Sequence, residues 1–381
     1  FDVENIEDYL VLKISFNGRE YSKYVFLKNK NDGSSYYRLF QYMKNCRIIN
    51  MTPSFIYKFY YGSKKSNNKI KKIIMGVITL LNDIFVMAYD TLIWKSRTII
   101  INRRFFPRSC PHILELLLGK YLDKKNVYWD FDDNIRYDGE ISEAEANLLE
   151  KKADCIVVTN EYLSETVSAK YKNKVKIIPT TDCEFEDLNI DESVSQRKIS
   201  YNEEIIMCWI GTMNNLKYLS EIIQALDDAA KYCKTNLNKK LILKVVANKK
   251  LEECPECLLV ENIEWTRDVA ISVMKSSHIG LMPLVDNEYT RGKGGFKAIQ
   301  YMSAAIVPLL SNVGYNSNVI IDNESGFFCN SYSDWKEKII SISKDVKLWE
   351  QLALGARQRW VDKFNPEPIK CFWNRVIEED I

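Results

Sequence analysis

The chain has 381 residues, 46% hydrophobic and 12% aromatic, which is enough to bury the cores of two ordinary domains and lies outside the low-hydrophobicity regime of disorder. Its 53 Lys and Arg nearly balance 51 Asp and Glu, so no global field argues for nucleic acid and any basic function is local. Ten cysteines lie scattered without a disulfide framework, and with no signal peptide at the start they read as reduced thiols of a cytoplasmic protein. The chain opens at Phe1 rather than Met, which leaves room for sequence ahead of it.

In chain order, the first distinctive segment is residues 55–94, FIYKFYYGSKKSNNKIKKIIMGVITLLNDIFVMAYDTLIW. Aromatics and Lys64, Lys65, Lys69, Lys71 and Lys72 precede an apolar stretch broken at Asn82, Asp83 and Asp90, short of the ~20 uninterrupted apolar residues of a spanning helix. It reads as a core helix with a solvated basic end, or as a peripheral contact with anionic lipid through Lys64–Lys72. Strand-like runs follow at 99–102, 126–131, 154–159 and 174–179, separated by helix-like stretches at 111–124, 141–152 and 161–171. That alternation predicts a parallel sheet covered by helices.

After Pro179 the text turns acidic and aperiodic through TTDCEFEDLNIDESVSQRKISYN, which reads as an interdomain linker. The rhythm then restarts with a strand at 204–211, an amphipathic helix at 215–233, strands at 241–247, 258–264, 277–282 and 306–310, and a helical tail from about 331. Cys254 and Cys257 form a CxxC with no matching second pair, so a loop without metal or redox chemistry is expected there. Two Rossmann-like halves in series predict a cleft with ligands beyond the carboxyl ends of strands.

Two motifs carry chemistry. In VYWDFDDN (127–134) three acids, Asp130, Asp132 and Asp133, close an apolar run. Carboxylates there suit a divalent cation held by Asp130 and Asp132, a catalytic role, or a helix cap. In residues 280–310 a strand ends at Pro283, and Gly292, Gly294 and Gly295 lead into a helix carrying Lys297, Gln300 and Tyr301. Small residues admit a close ligand and a helix start attracts anions, so the segment suits a phosphate, with Arg291, Lys293 and Lys297 as cations. It fits neither GxGxxG nor a Walker A loop. Its bland reading is a solvated basic turn.

The segment RGKGGFKAIQYM (291–302) resembles the donor-binding segment of the family-4 (group 1) retaining glycosyltransferases of the GT-B fold. WIGTMNNLKYL (209–219) resembles that family's strand-loop opening, DGSSYYRLFQYMKN (32–45) its N-terminal acceptor-side loop, and DCIVVTNEYLSE with KVKIIPTTDC its last N-domain strands. The resemblance implies two Rossmann-like domains facing across a cleft: an acceptor-side domain at 1–183, a nucleotide-sugar domain at 184–360, and a helix at 361–381 packing back on the first domain.

It implies that Gly211 and Thr212 approach the donor diphosphate and that Lys297 with Arg291 or Lys293 neutralises it. Gln300 stands where many relatives place the second Glu of an E-x7-E motif that holds the ribose. The first Glu falls on Gly292, with Glu288 or Asp286 as substitutes. Ser34, Ser35, Arg38 and Arg103 are implied on the acceptor side, and Asp132 and Asp133 stand where relatives keep a His-Asp pair. The chain's two histidines are His112 and His278, so no imidazole is available at that position.

The implied activity is transfer of a sugar from a nucleotide-diphosphate sugar to a glycan or lipid-linked acceptor, as in bacterial-type surface polysaccharide synthesis. Retention is expected, with no metal, no cofactor and no nucleic acid. The expected location is cytoplasmic, at the inner face of a membrane. The alternatives are a catalytically inactive binding subunit, kept open by the missing histidine and Glu, and a metal-dependent transferase using Asp130 and Asp132.

Overall fold

A computed structural model of the chain describes residues 24–27, 33–42, 47–50, 68–106 and 112–378. Lys64, Lys65 and both flanks of the 32–45 loop lie outside them. The chain forms two compact units, one drawn from residues up to Pro179 together with the segment from Glu367, the other continuous from Thr180 to Pro366.

In the first unit β3 (Thr98–Asn102), β4 (Asn126–Phe131), β5 (Cys155–Val158) and β6 (Val175–Ile177) form a parallel sheet in that order. A parallel pair, β1 (Tyr24–Leu27) and β2 (Arg47–Asn50), runs beside it with β1 next to β3. The β-branched runs of β3 and β5 are buried on both faces, as expected of a parallel sheet under helices. The core gathers Ile99, Ile101, Trp129, Phe131, Ile156 and Val158 with Leu114, Leu118 and Leu149 from the helices His112–Leu122 and Glu143–Lys152. The helix Glu367–Glu378 belongs to this unit, with Trp373 fully buried and Lys176 over the Phe372 ring.

In the second unit β7 (Glu204–Ile210), β8 (Lys240–Ala247), β9 (Leu259–Glu264), β10 (Ile279–Met282), β11 (Val307–Leu310) and β12 (Phe327–Phe328) form one sheet. Its order is β12-β11-β10-β7-β8-β9, and every described pair is parallel. Strand order reverses between β7 and β10, the switch point at which doubly wound sheets open a crevice beyond their carboxyl ends.

Three expectations change. The segment after Pro179 is not a linker: Ile190–Ser200 is a helix capped by Asn189, with Val194 and Arg197 buried. Thr181 accepts a hydrogen bond from Trp360, fixing the segment's start in the second unit. The stretch at 215–233 is two helices, Leu216–Ser220 and Ile223–Leu237, rather than one. Finally, Asn82, Asp83 and Asp90 do not break the apolar segment, which is one helix from Lys69 to Tyr89 continuing through a π turn to Trp94.

Candidate functional site

The ends of β3 and β4 lie level, Asn102 against Asp130, so the residues just beyond them share one edge of the sheet. The short helix Gly33–Arg38 follows β1, the neighbour of β3, and brings Ser34, Ser35 and Arg38 to that edge. Chain reversal beside β3 thus joins residues some 70 to 140 positions apart.

Asp130 is wholly buried. Arg38 donates to it from Nη2 at 2.5 Å and from Nε at 3.1 Å, and Asn102 donates to its second oxygen at 3.0 Å. Arg38 also donates to the carbonyl of Ile178 at 2.6 Å, tying the start of the chain to the end of β6. Ser35 donates to Asn102 at 3.2 Å. A buried ion pair is tolerable only with its remaining valences satisfied, and here both partners have them.

Asp132 and Asp133 sit one layer out, with side chains 20% and 25% exposed. Arg103 donates to Asp132 at 2.8 Å, to Asp133 at 3.1 Å and to Glu140 at 2.7 Å, and Ser34 donates to Asp132 at 2.8 Å. Arg103 has a left-handed backbone, φ 65, held by its N–H donating to Asp130 O at 2.7 Å and its carbonyl accepting from Trp129 Nε1 at 3.0 Å. Strain of this kind persists where surroundings over-determine it, and functional sites are where it clusters. Burial raises the Asp132 carboxyl to about 6, with Arg103 opposing the rise and Asp133 adding to it.

The capping reading of the acids is corrected by this geometry, and the carboxylates are otherwise engaged by arginines. Neither Asp132 nor Asp133 caps a helix, since the next helix begins at Glu143 under the Ser142 side chain. Asp130 and Asp132 do not form a carboxylate pair open to one cation, because Arg38 takes the first and Arg103 with Ser34 the second. Among the described residues no group of three His, Cys, Asp or Glu is placed to hold a metal.

In the second unit Gly211 and Thr212 follow β7, and the basic loop follows β10, on either side of the switch point. A Cβ on Gly211 would lie 2.3 Å from the Trp209 ring, so the turn admits only glycine without displacing a buried indole. Asn287 and Thr290 make a capping box for the turn of helix Glu288–Arg291. Gly295, with φ +68 and its ideal Cβ 2.5 Å from Val319, opens the helix Phe296–Ser303. The Tyr301 hydroxyl donates to Leu281 O at 3.3 Å and accepts from Ile210 N–H at 3.3 Å, locking that helix beneath the ends of β10 and β7.

The basic residues are not equivalent. Exposed Arg291 pairs with Asp286 at 2.6 Å, and Lys293 lies 4.5 Å over the Tyr289 ring. Lys297 is half-buried on the first turn of the Phe296–Ser303 helix. Glu288 is exposed on its short helix. Gln300 differs from expectation: it is buried and its amide nitrogen donates to Asp182 at 2.7 Å, so that donor is committed inside the unit. Burial raises the Asp182 carboxyl, and the Gln300 bond opposes the rise.

Sequence reasoning missed Asn102, Glu140 and Asp182. Asn102 was legible as the polar end of an apolar run; Glu140 and Asp182 sit in loops without any spacing signal. The histidines are elsewhere: His112 is exposed, while His278 is fully buried, accepting from Ile206 N–H at Nδ1 and donating from Nε2 to Arg197 O.

Residues 191–359 match the family model described as glycosyl transferases group 1. No curated protein matches the sequence. Among solved structures, the chain is similar to sucrose-phosphate synthase from Thermosynechococcus elongatus, at 14% identity over 99% of this chain and 92% of that one, with a TM-score of 0.60. It is similar to Anabaena HepE, solved in complex with UDP-glucose, at 10% identity over 94% and 99%, with a TM-score of 0.61. A glycosyltransferase from Rickettsia africae follows at 12% identity over 94% and 99%, with a TM-score of 0.55. With the group 1 match across its second unit and the GT-B fold across both, the chain is a glycosyltransferase.

Proposed function

We propose that the chain moves a sugar from a nucleoside-diphosphate sugar to a glycan or lipid-linked acceptor, with retention and without a metal, in the manner of the family-4 enzymes. The setting we propose is assembly of a surface polysaccharide or glycoconjugate from the cytoplasmic side. The observation that carries the donor half of this reading is the left-handed Gly295 at the start of a helix bearing Lys297, beside the switch point of the sheet. Amide groups and a lysine at that place favour a diphosphate. The complex of HepE with UDP-glucose supports the same ligand class.

In the proposed reaction the bond between the anomeric carbon and the diphosphate oxygen breaks, and the acceptor oxygen forms its new bond from the same face. The acceptor's proton passes to the departing phosphate oxygen. Lys297, with Arg291 and Lys293, offsets the charge growing on that leaving group, the part a divalent ion takes in other transferases. Asp132, held by Arg103 and Ser34 in the first unit, accepts a hydrogen bond from the acceptor hydroxyl.

Calorimetric titration with UDP and GDP in EDTA, followed by a donor panel with NMR of the product, tests this reading. Expected are heat with one nucleotide, turnover unaffected by EDTA, retained anomeric configuration, and a loss of about 10²-fold in kcat/KM for Lys297→Ala. No nucleotide heat together with an unchanged Lys297→Ala rate would overturn the donor assignment. Activity that vanishes in EDTA and returns with Mn²⁺ would overturn metal independence.

A further inference from the structure

The helix starting at Lys69 presents a surface unlike the rest of the first unit. Asn68 caps it by accepting from the N–H groups of Ile70 and Lys71. The 25-residue stretch Lys69–Ile93 is long and apolar enough, by length and composition, to cross a membrane. One face is nevertheless fastened to the unit: Met75, Thr79, Asp83, Val86 and Met87 are buried, and Asp90 accepts from Lys125 at 2.6 Å and Tyr121 at 2.7 Å.

The opposite face carries Ile70, Ile73, Ile74, Val77, Leu81 and Phe85, at spacings of three and four, with exposures from 50% at Val77 to 69% at Ile70. An apolar stripe of this length is rare on a surface that meets only water. Both carboxylates of the helix, Asp83 and Asp90, lie on the inner face, at 2% and 0% exposure. Lys69, Lys71 and Lys72 are all exposed in the first turn. The outer face is therefore apolar along its length, cationic at one end and without an exposed acid.

We propose that this face docks on an anionic lipid bilayer, the helix lying in the plane of the interface with its apolar stripe among the acyl chains and its lysines at the headgroups. A bilayer surface offers both halves of the complement at once, an apolar interior and a layer of negative charge beside it. A second copy of the same helix would cover the stripe but brings no exposed carboxylate for the lysines. The fastened inner face keeps the helix from inserting across the membrane, so the contact is peripheral. Docking requires nothing of the transfer chemistry and stands or falls separately from it.

The full chain is floated with vesicles of phosphatidylglycerol and phosphatidylcholine in equal parts, and with phosphatidylcholine alone. It is expected to float with the anionic vesicles, to weaken about fivefold for each of Lys71→Gln and Lys72→Gln, and to fall to background for Leu81→Glu with Phe85→Glu. Both replaced side chains are exposed, and circular dichroism checks that helix content is retained. Absence of the wild-type chain from the anionic vesicles, or flotation unchanged in the Leu81 and Phe85 variant, overturns the proposal. Dimerisation in lipid-free buffer that the same variant abolishes, without any vesicle binding, overturns it in favour of a second copy.

Discussion

At the scale of single residues, Asp132 is held in a position that costs stability. Its carboxyl titrates at about 6 in the folded chain against an ordinary 3.8, because burial outweighs the help of Arg103. Between those values the native state binds the proton more tightly than the unfolded chain, so stability falls as pH rises through the window. Above it the cost is fully present, about 3 kcal/mol by the size of the shift. Asp132→Asn is therefore expected to raise Tm at pH 7 while lowering kcat/KM about 10²-fold, and the wild-type rate is expected to decline below pH about 6 as the carboxyl becomes neutral. Scanning calorimetry and a pH profile of transfer check both parts, and a variant that melts earlier would mean that the Arg103 pair outweighs burial. The sequence made the acids legible as a cluster, since three carboxylates at a strand end are conspicuous. It did not make legible which arginine serves which acid, because Arg38 and Arg103 arrive from segments whose adjacency depends on strand order.

Among the elements, the strands were the easiest to foresee: β3 and β5 are short β-branched runs with turn residues on either side. The helix Ile190–Ser200 was illegible because its sequence is polar almost throughout, with Val194 its one fully buried apolar side chain. The helix from Lys69 looked interrupted because Asp83 and Asp90 read as breaks; both turn inward, where Asp90 meets Ser96, Tyr121 and Lys125. The helix Phe296–Ser303 was foreseen with its glycines but not with the steric reason for one of them. Gly295→Ala must force a side chain into positive φ and against Val319, so it is expected to destabilise the unit by about 1–3 kcal/mol and to weaken UDP binding at least tenfold. Urea unfolding and titration calorimetry measure the two effects, and unchanged nucleotide affinity in a folded variant would detach that helix start from the donor.

Across the whole molecule, two buried titratable groups pull in opposite directions with pH. Burial lowers His278, in the second unit, to about 4 from an ordinary 6.5, so the unfolded chain gains the proton first. Stability of that unit is fully present above pH 6.5 and is lost as pH falls towards 4, by about 3 kcal/mol. Asp132 makes the first unit gain stability over much of the same range. Hydrogen exchange of the full chain at pH 5 and pH 7 is expected to show the second unit losing protection relative to the first, and equal changes in both would refute the assignment. The two-unit plan itself was legible from the restart of alternating strands and helices at residue 204; the exact places where the chain passes between units were not, since Thr181 and Asp182 are fixed by Trp360 and Gln300, far along the sequence.

The division of the chain also sets an order of assembly. The second unit is one uninterrupted stretch, whereas the first takes its last helix, with buried Trp373, from beyond that stretch. During synthesis the first sheet emerges first yet waits longest, its core incomplete until the entire second unit and the closing helix have left the ribosome. The unit that starts the chain is thus the last to be finished, and a message truncated between residues 329 and 366 yields a second unit with all its strands beside a first unit without its final helix.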